Sequence, residues 1–162
     1  DHRDLHSFPT RRSSDLSRGA ERVYAVDVGR GQLAWKLRQD PRVVVLEGVN
    51  ARHLDRGQVP EAPGLVVCDA SFIGLATVLP AALALAAPEA RLIALIKPQF
   101  EAAREDVGKG GVVRDAGVHK AVCERVRDWL DGLAGWSVLG IEESPITGPE
   151  GNVEYLIAAR HG

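Results

Sequence analysis

Short apolar runs that alternate with helical patterns constrain the fold of this chain more than any other feature. The patterns typical of helices cover residues 32–38, 72–87 and 116–133. The apolar runs, interpreted as strands, cover residues 22–27, 43–46, 65–69, 91–96, 137–141 and 153–159. Strands that alternate with helices in this way predict an α/β domain with a mostly parallel sheet.

The last two apolar runs differ from the others because only the segment ESPITGPEGN separates them. A parallel connection needs a crossover of a dozen or more residues, usually a helix, and this segment leaves no room for one. The final two strands are therefore predicted to be antiparallel neighbours.

Composition excludes several classes of function. The formal net charge of -2 gives no overall basic bias, so contact with nucleic acid requires a local basic patch. The longest apolar stretch, residues 73–87, is interrupted by Pro80 and is shorter than the roughly 20 residues of a membrane span. No secretory signal is visible, and Cys68 and Cys123 have no metal-binding spacing. We therefore expect a cytoplasmic protein without a metal site.

The amino terminus is unlike the rest of the chain. Residues 1–16, DHRDLHSFPTRRSSDL, lack periodicity and are rich in Arg, Ser, Asp and His. A disordered tail is one interpretation. The segment also resembles translated sequencing-adapter read-through, in which case it is not native. We expect one globular domain over residues 17–162.

Ionisable residues lie at one edge of the predicted sheet. Asp69 and Lys97 close two parallel strands, and Glu154 begins a strand that runs the other way, so all three reach the edge where open α/β sheets bind ligands. Each also has a structural interpretation: a helix cap for Asp69, a solvent-reaching lysine, and an edge-strand charge for Glu154. Their convergence favours a functional site.

The segment RVYAVDVGRGQL at residues 22–33 has two interpretations. As the first glycine loop of a dinucleotide fold, it would place Glu47 about 20 residues after Asp27, where an acid grips a ribose. Against this, the third glycine of G-x-G-x-x-G is absent. Alternatively, the segment is the second strand of a nucleotide-binding sheet whose opening loop is missing.

The segments VYAVDVGRGQLAWKLRQDPRV, VVCDASFIGL, LIALIKPQFEA and TGPEGNVEYL resemble the TlyA-type (haemolysin A-like) ribosomal RNA 2′-O-methyltransferases, which carry an FtsJ-like catalytic domain. The resemblance covers the chain from about Ser17 to Gly162. It implies a class I (Rossmann-like) methyltransferase sheet with a terminal antiparallel strand, S-adenosyl-L-methionine as cofactor, and ribosomal RNA or a ribosomal subunit as partner.

The resemblance also implies roles for individual residues. The catalytic residues would be Asp69, Lys97 and Glu154. The cofactor-binding residues would be Asp27, Gly29, Glu47, Asn50 and Asp69, with Asp27 on the ribose hydroxyls and Glu47 to Asn50 near the adenine. RVYAVDVGRGQL would then be the second strand. The first strand, its glycine-rich loop, a first catalytic lysine and an S4-like RNA-binding domain would be missing, so we expect a fragment with weak or no activity.

The chemistry of ribose methylation suits these residue types. A 2′-hydroxyl must attack a sulfonium methyl in line and lose a proton, although it is a poor acid. A lysine can accept that proton, or hold the hydroxyl in line, if neighbouring carboxylates control its charge and direction. Lys97 is the predicted residue for this role, with Asp69 and Glu154 as orienting partners.

Basic residues punctuate the segment EAAREDVGKGGVVRDAGVHK, which follows Lys97. Arg104, Lys109, Arg114 and Lys120 could track an RNA backbone from a glycine-rich loop. The interleaved acids equally suit a solvated surface loop.

Two other classes of function stay open. A non-catalytic nucleotide-binding module would bind the cofactor without transferring a methyl group. A membrane-active haemolysin would need a spanning segment, a cationic amphipathic helix or alternating β-hairpins, and the sequence offers none of these.

Overall fold

The computed structural model describes residues 21–27 and 38–162. The chain divides into two compact units, Asp1–Glu61 and Ala62–Gly162. Each unit contributes its own sheet within the described residues.

The first unit contains a parallel pair of strands, β1 (Val23–Asp27) and β2 (Val43–Glu47). Their register sets Asp27 beside Glu47 at the carboxyl ends. Ala25 and Val43 form a small buried cluster between them. The Val49 N–H donates to the Asp27 carbonyl at 3.2 Å, so the chain after β2 crosses the end of β1.

The second unit contains four strands in the order β3-β4-β6-β5. Their bounds are β3 (Leu65–Cys68), β4 (Arg91–Ile96), β5 (Trp136–Glu143) and β6 (Tyr155–His161). Strands β3 and β4 are parallel, and β6 lies antiparallel between β4 and β5. The predicted antiparallel pairing of the last two strands is confirmed, and so is the α/β fold class.

Four α-helices lie in the second unit. They are α1 (Leu75–Val78), α2 (Pro80–Leu85), α3 (Pro98–Glu101) and α4 (Ala116–Asp131). The predicted start of α4 is confirmed, because the Asp115 side chain caps it by accepting from the Gly117 N–H at 2.7 Å.

The prediction of one continuous helix over residues 72–87 is wrong. Phe72 has φ 64, a left-handed conformation that cannot start a right-handed helix. Pro80 lacks an N–H group and starts a second helix instead of continuing the first. The helix predicted at residues 32–38 lies almost wholly outside the described residues.

The core of the second unit is centred on β4. Leu92, Ala94 and Ile96 are fully buried, and Val122, Val126 and Leu130 of α4 are buried as well. Burial of β4 alternates at its start and becomes continuous from Ala94 onward. The strand therefore enters the interior at its carboxyl end, and the next residue, Lys97, is carried there with it.

Candidate active site

A buried ion pair lies at the carboxyl edge of the parallel strands in the second unit. Lys97 Nζ and Asp69 Oδ1 are 2.7 Å apart, and their side chains are 2% and 4% exposed. Lys97 also donates to Ser71 Oγ at 3.2 Å. The geometry follows from the fold, because Asp69 comes directly after β3 and Lys97 directly after its parallel neighbour β4.

Glu154 reaches the same edge from the opposite strand direction. Tyr155 pairs with Ile96, so the next register position sets Glu154 opposite Lys97. The Glu154 carboxylate is buried and accepts from Gln99 Nε2 at 2.8 Å. The structure therefore brings together the three residues that sequence analysis predicted to meet. The carboxamide oxygen of Gln99 is buried and has no hydrogen-bond partner among the described residues.

Gly148 leaves the space that the Glu154 carboxylate fills. A methyl group built on Gly148 would lie 2.7 Å from the Glu154 Cδ and would overlap its Oε2. Sequence reasoning did not identify Gly148 as a site residue. The sequence shows Gly148 as the first glycine of GPEGNVEYL. The motif alone does not reveal that this glycine contacts the carboxylate six positions later.

Phe72 projects from the segment between Asp69 and α1. It is 73% exposed and has φ 64, which is strained for an aromatic residue. Its ring contacts the ring of Phe100 with centroids 4.8 Å apart. Ser71 precedes it, so the exposed ring lies next to the residue that binds Lys97.

Glu101, the last residue of α3, links the helices next to Lys97. Its carboxylate accepts from the Leu75 N–H at 2.7 Å, at the start of α1, and lies 3.8 Å from the Arg125 guanidinium of α4. Burial raises the pKa of Glu101 above its ordinary value, while the bond from Leu75 and the charge of Arg125 oppose that rise. Glu101 thereby ties α1, α3 and α4 together next to Lys97.

The predicted cofactor-binding residues of the first unit lie at the carboxyl ends of β1 and β2. Asp27 and Glu47 are register partners there, and Glu47 is paired with Arg38. Asn50 accepts from the Arg52 N–H at 3.0 Å and caps a 3-10 turn. Gly29 lies outside the described residues. Neighbouring carboxylates are suitable acceptors for the two hydroxyls of a ribose, so this pair of acids fits the ribose of S-adenosyl-L-methionine.

The four basic residues predicted to contact RNA, Arg104, Lys109, Arg114 and Lys120, are all exposed. Lys109 and Arg114 lie on residues 108–114, which we call the glycine loop. Gly110 and Gly111 of this loop have φ 78 and φ 77, a conformation that other residues rarely adopt. Lys120 lies on α4 and is 4.0 Å from Glu124.

Other chemistries find little support in the described part of the chain. Burial raises the pKa of the Cys123 thiol to about 11, which makes it a poor nucleophile at neutral pH. Residues 21–27 and 38–162 contain no group of three or more side chains that could hold a metal ion. None of the helices over these same residues is long and apolar enough to cross a membrane.

Known proteins with similar sequences are methyltransferases and haemolysins. The chain is 50% identical over 153 residues to the 16S/23S rRNA (cytidine-2′-O)-methyltransferase TlyA of Mycobacterium tuberculosis, covering 90% of this chain and 54% of that protein. It is 39% identical over 143 residues to Hemolysin A of Brachyspira hyodysenteriae, covering 87% and 59%. The chain thus spans about half the length of the curated relatives it matches.

Solved structures agree with the fold. A candidate hemolysin from Lactococcus lactis is 44% identical with a TM-score of 0.84, covering 90% of this chain and 69% of that one. The N-methyltransferase NodS of Bradyrhizobium japonicum, solved with S-adenosyl-L-homocysteine, has a TM-score of 0.60 at 13% identity and covers 92% and 71%, which supports the fold alone. The profile of FtsJ-like methyltransferases matches residues 13–161, so this chain belongs to the FtsJ-like methyltransferase family.

Proposed function

We propose that this chain is the catalytic part of an S-adenosyl-L-methionine-dependent methyltransferase that modifies a ribose 2′-hydroxyl of ribosomal RNA. The observation that carries the proposal is the buried Lys97–Asp69 pair, with Glu154 opposite Lys97, at the ligand-binding edge of the sheet. Relatives that match most of this chain carry the name rRNA (cytidine-2′-O)-methyltransferase.

The cofactor, when bound, supplies an electrophilic methyl group on a sulfonium. Lys97 would hold the attacking hydroxyl in line as an ammonium or, in its neutral form, take its proton, because its amine is the polar group that strand β4 carries into the site. The Asp69 carboxylate fixes the direction of that amine at 2.7 Å. Glu154, held by Gln99, supplies a second carboxylate that stabilises the positive charge of Lys97 as the hydroxyl loses its proton.

Cofactor binding would rest on carboxylates of the first unit. Asp27 and Glu47 would accept hydrogen bonds from the ribose hydroxyls of S-adenosyl-L-methionine, since both stand at strand ends. Asn50 would lie near the adenine, and Gly29 stays a predicted cofactor-binding residue outside the described part of the chain. Asp69 stays a predicted cofactor-binding residue, although its carboxylate is engaged by Lys97.

RNA binding would combine charge and stacking. The exposed Lys109 and Arg114 of the glycine loop, with Arg104 and Lys120, would contact phosphates. The exposed ring of Phe72 would offer an aromatic face to a nucleobase near Lys97. If the target base left its stack, the exposed Phe72 ring would be placed to stack against it.

The test is methyl transfer from radiolabelled S-adenosyl-L-methionine to unmethylated ribosomal subunits, followed by mass spectrometry of the digested nucleosides. We expect a small but measurable yield of a 2′-O-methylated nucleoside with the wild-type chain, in keeping with the weak activity expected from the sequence, and none with Lys97→Ala. Asp128→Ala, an exposed change on α4 away from the proposed RNA contacts, serves as a folding-matched control that keeps Lys97. Cofactor binding by calorimetry without any labelled nucleoside would instead support a non-catalytic binding module.

A further inference from the structure

One buried side chain joins the glycine loop to the segment that carries Glu154. Asn152 is 3% exposed. Its carboxamide oxygen accepts from the Val113 N–H at 3.0 Å. Its Nδ2 donates to the Gly111 carbonyl at 3.0 Å and to the Pro149 carbonyl at 3.1 Å. The acceptor and both donor hydrogens of one amide are thus engaged by backbone groups of two separate segments.

An amide is well suited to this position. The site presents one N–H and two carbonyls, and Asn is a short side chain that offers one acceptor with two donors. An apolar residue would leave the buried N–H of Val113 unpaired, and an unpaired buried donor costs about 1–3 kcal/mol. The orientation of the amide follows from these partners, because the reverse orientation would face oxygen with oxygen.

The glycine loop has a second attachment at the same point. His119 of α4 is buried, and its Nε2 lies 2.8 Å from the Val113 carbonyl. Asn152 therefore holds the N–H of Val113 while His119 holds its carbonyl. The Gly108 N–H donates to the Val112 carbonyl at 2.8 Å and closes the loop. Its base is thus fixed, and the loop presents Lys109 and Arg114 to solvent from there.

The other end of the connection reaches the Glu154 carboxylate. The backbone carbonyl of Asn152 accepts from the Gly148 N–H at 2.7 Å. Gly148 is the residue against which the Glu154 carboxylate packs. The Ser144 N–H also donates to the Glu154 carbonyl at 2.8 Å. A shift of Asn152 would therefore move both the base of the glycine loop and the wall behind Glu154.

We propose that Asn152 is a positioning residue that fixes the distance between the phosphate-contacting glycine loop and the Glu154 carboxylate. The inference rests on the proposed function, because it assigns the loop to RNA and Glu154 to the reacting hydroxyl. A phosphate held by Lys109 or Arg114 then stands at a set distance from the hydroxyl beside Lys97. Loss of Asn152 leaves RNA bound but misplaces the ribose.

The test compares Asn152→Ala and Asn152→Asp with wild type. Asp keeps an acceptor for the Val113 N–H but at neutral pH offers no hydrogen to the Gly111 and Pro149 carbonyls. Asp131→Ala is the matched control, since Asp131 accepts from the Val138 N–H at 2.7 Å, also tying a side chain to backbone in the second unit. Methyl-transfer kinetics and amide hydrogen exchange are measured on all four proteins.

We expect both Asn152 variants to lower kcat by about 100-fold, the cost of misplacing a reacting group by roughly 1 Å. The KM for RNA should change by less than about threefold. Exchange should rise in peptides covering residues 108–114 and 147–153, and only there. Asp131→Ala should leave kcat within about twofold of wild type.

Unchanged kcat in the Asn152 variants would overturn the inference. So would exchange that rises equally over the whole chain, since that is the result of a general loss of stability. If wild type neither binds S-adenosyl-L-methionine nor methylates RNA, the proposed function fails. The exchange measurement then still decides whether Asn152 joins the two segments, and unchanged protection of residues 108–114 would contradict it.

Discussion

The carboxyl ends of two parallel strand pairs carry acids in this protein, and the surroundings of these acids differ. At the β1–β2 end, Asp27 and Glu47 stand side by side, and the Glu47 side chain is 16% exposed and paired with Arg38. At the β3–β4 end, Asp69 is nearly inaccessible and is paired with an equally buried Lys97. The same topological position thus yields a partly open acid in one unit and an enclosed charge pair in the other.

The difference suits two chemical tasks. A partly open carboxylate can exchange water for the hydroxyls of a ligand at small cost. An enclosed pair experiences a low dielectric, where a charge partner strongly controls the direction and protonation of an amine. We therefore assign binding to the first end and proton handling to the second. The variants that follow test this division of roles.

The largest effect is expected from removing half of the enclosed pair. Lys97→Met or Asp69→Leu alone would leave a buried charge without its partner and should lower the free energy of unfolding by about 3–5 kcal/mol. The double variant should recover much of that loss, because both charges are then gone. Methyl transfer should fall by at least about 100-fold in all three. Urea unfolding and labelled-methyl assays give both quantities.

The matched control for this prediction lies at the other strand end. Arg38→Met removes the partner of Glu47, where both side chains are partly exposed. Pairs of that kind contribute about 0–1 kcal/mol, so stability should change little. Equal losses at both ends would contradict the contrast between an open and an enclosed acid.

The next largest effect concerns the space behind Glu154. Gly148→Ala introduces a methyl group that overlaps the Glu154 carboxylate and should push it away from Gln99. We expect kcat to fall on the order of 100-fold with cofactor affinity unchanged. Gly64→Ala is the control, because nothing lies within 4 Å of a methyl group there. Full activity of Gly148→Ala would show that catalysis does not depend on the exact position of the Glu154 carboxylate.

A smaller effect is expected at the open end. Asp27→Asn removes a charged acceptor from the proposed ribose contact, and hydrogen bonds to charged groups contribute about 1.5–3 kcal/mol. The Kd for S-adenosyl-L-methionine should therefore rise by roughly 10-fold or more, with kcat at saturating cofactor unchanged. Calorimetry and saturation kinetics separate the two. A fall in kcat with unchanged Kd would reverse the roles assigned to the two strand ends.

The proximity of Asp69 and Lys97 could be predicted from the sequence because a general rule of parallel sheets applies to them. Parallel strands deliver their last residues to one edge, so Asp69 and Lys97 could be brought together without coordinates. Glu154 followed from the short connection before β6, which forces that strand to reverse. These inferences needed only strand order and direction, which apolar runs reveal.

Loop residues were beyond that reasoning for a physical reason. Gly148 matters because a carboxylate packs on it, and Asn152 matters because backbone groups of the distant glycine loop meet its amide. Such partners are set by tertiary structure and leave no period in the sequence. The break at Pro80 is a different case, since the helix-interrupting residue was visible and its effect was underestimated.

The smallest predicted effect concerns a third acid environment, the buried Glu101. Burial raises its pKa above the ordinary value of 4.5, so the folded state holds the proton more tightly than the unfolded state does. The protonated carboxyl therefore contributes its whole stabilising free energy at pH values below 4.5, and this contribution is lost as the pH rises through the pKa of the folded state. Wild type should therefore lose stability relative to Glu101→Gln between pH 4 and pH 7. Urea unfolding of both proteins at these two pH values measures the difference. Glu105→Gln, on the exposed turn nearby, is the matched control, because it removes a carboxyl that is not buried. If Glu101→Gln behaves like Glu105→Gln, burial does not govern Glu101, and the bonds from Leu75 and Arg125 offset the cost of its charge.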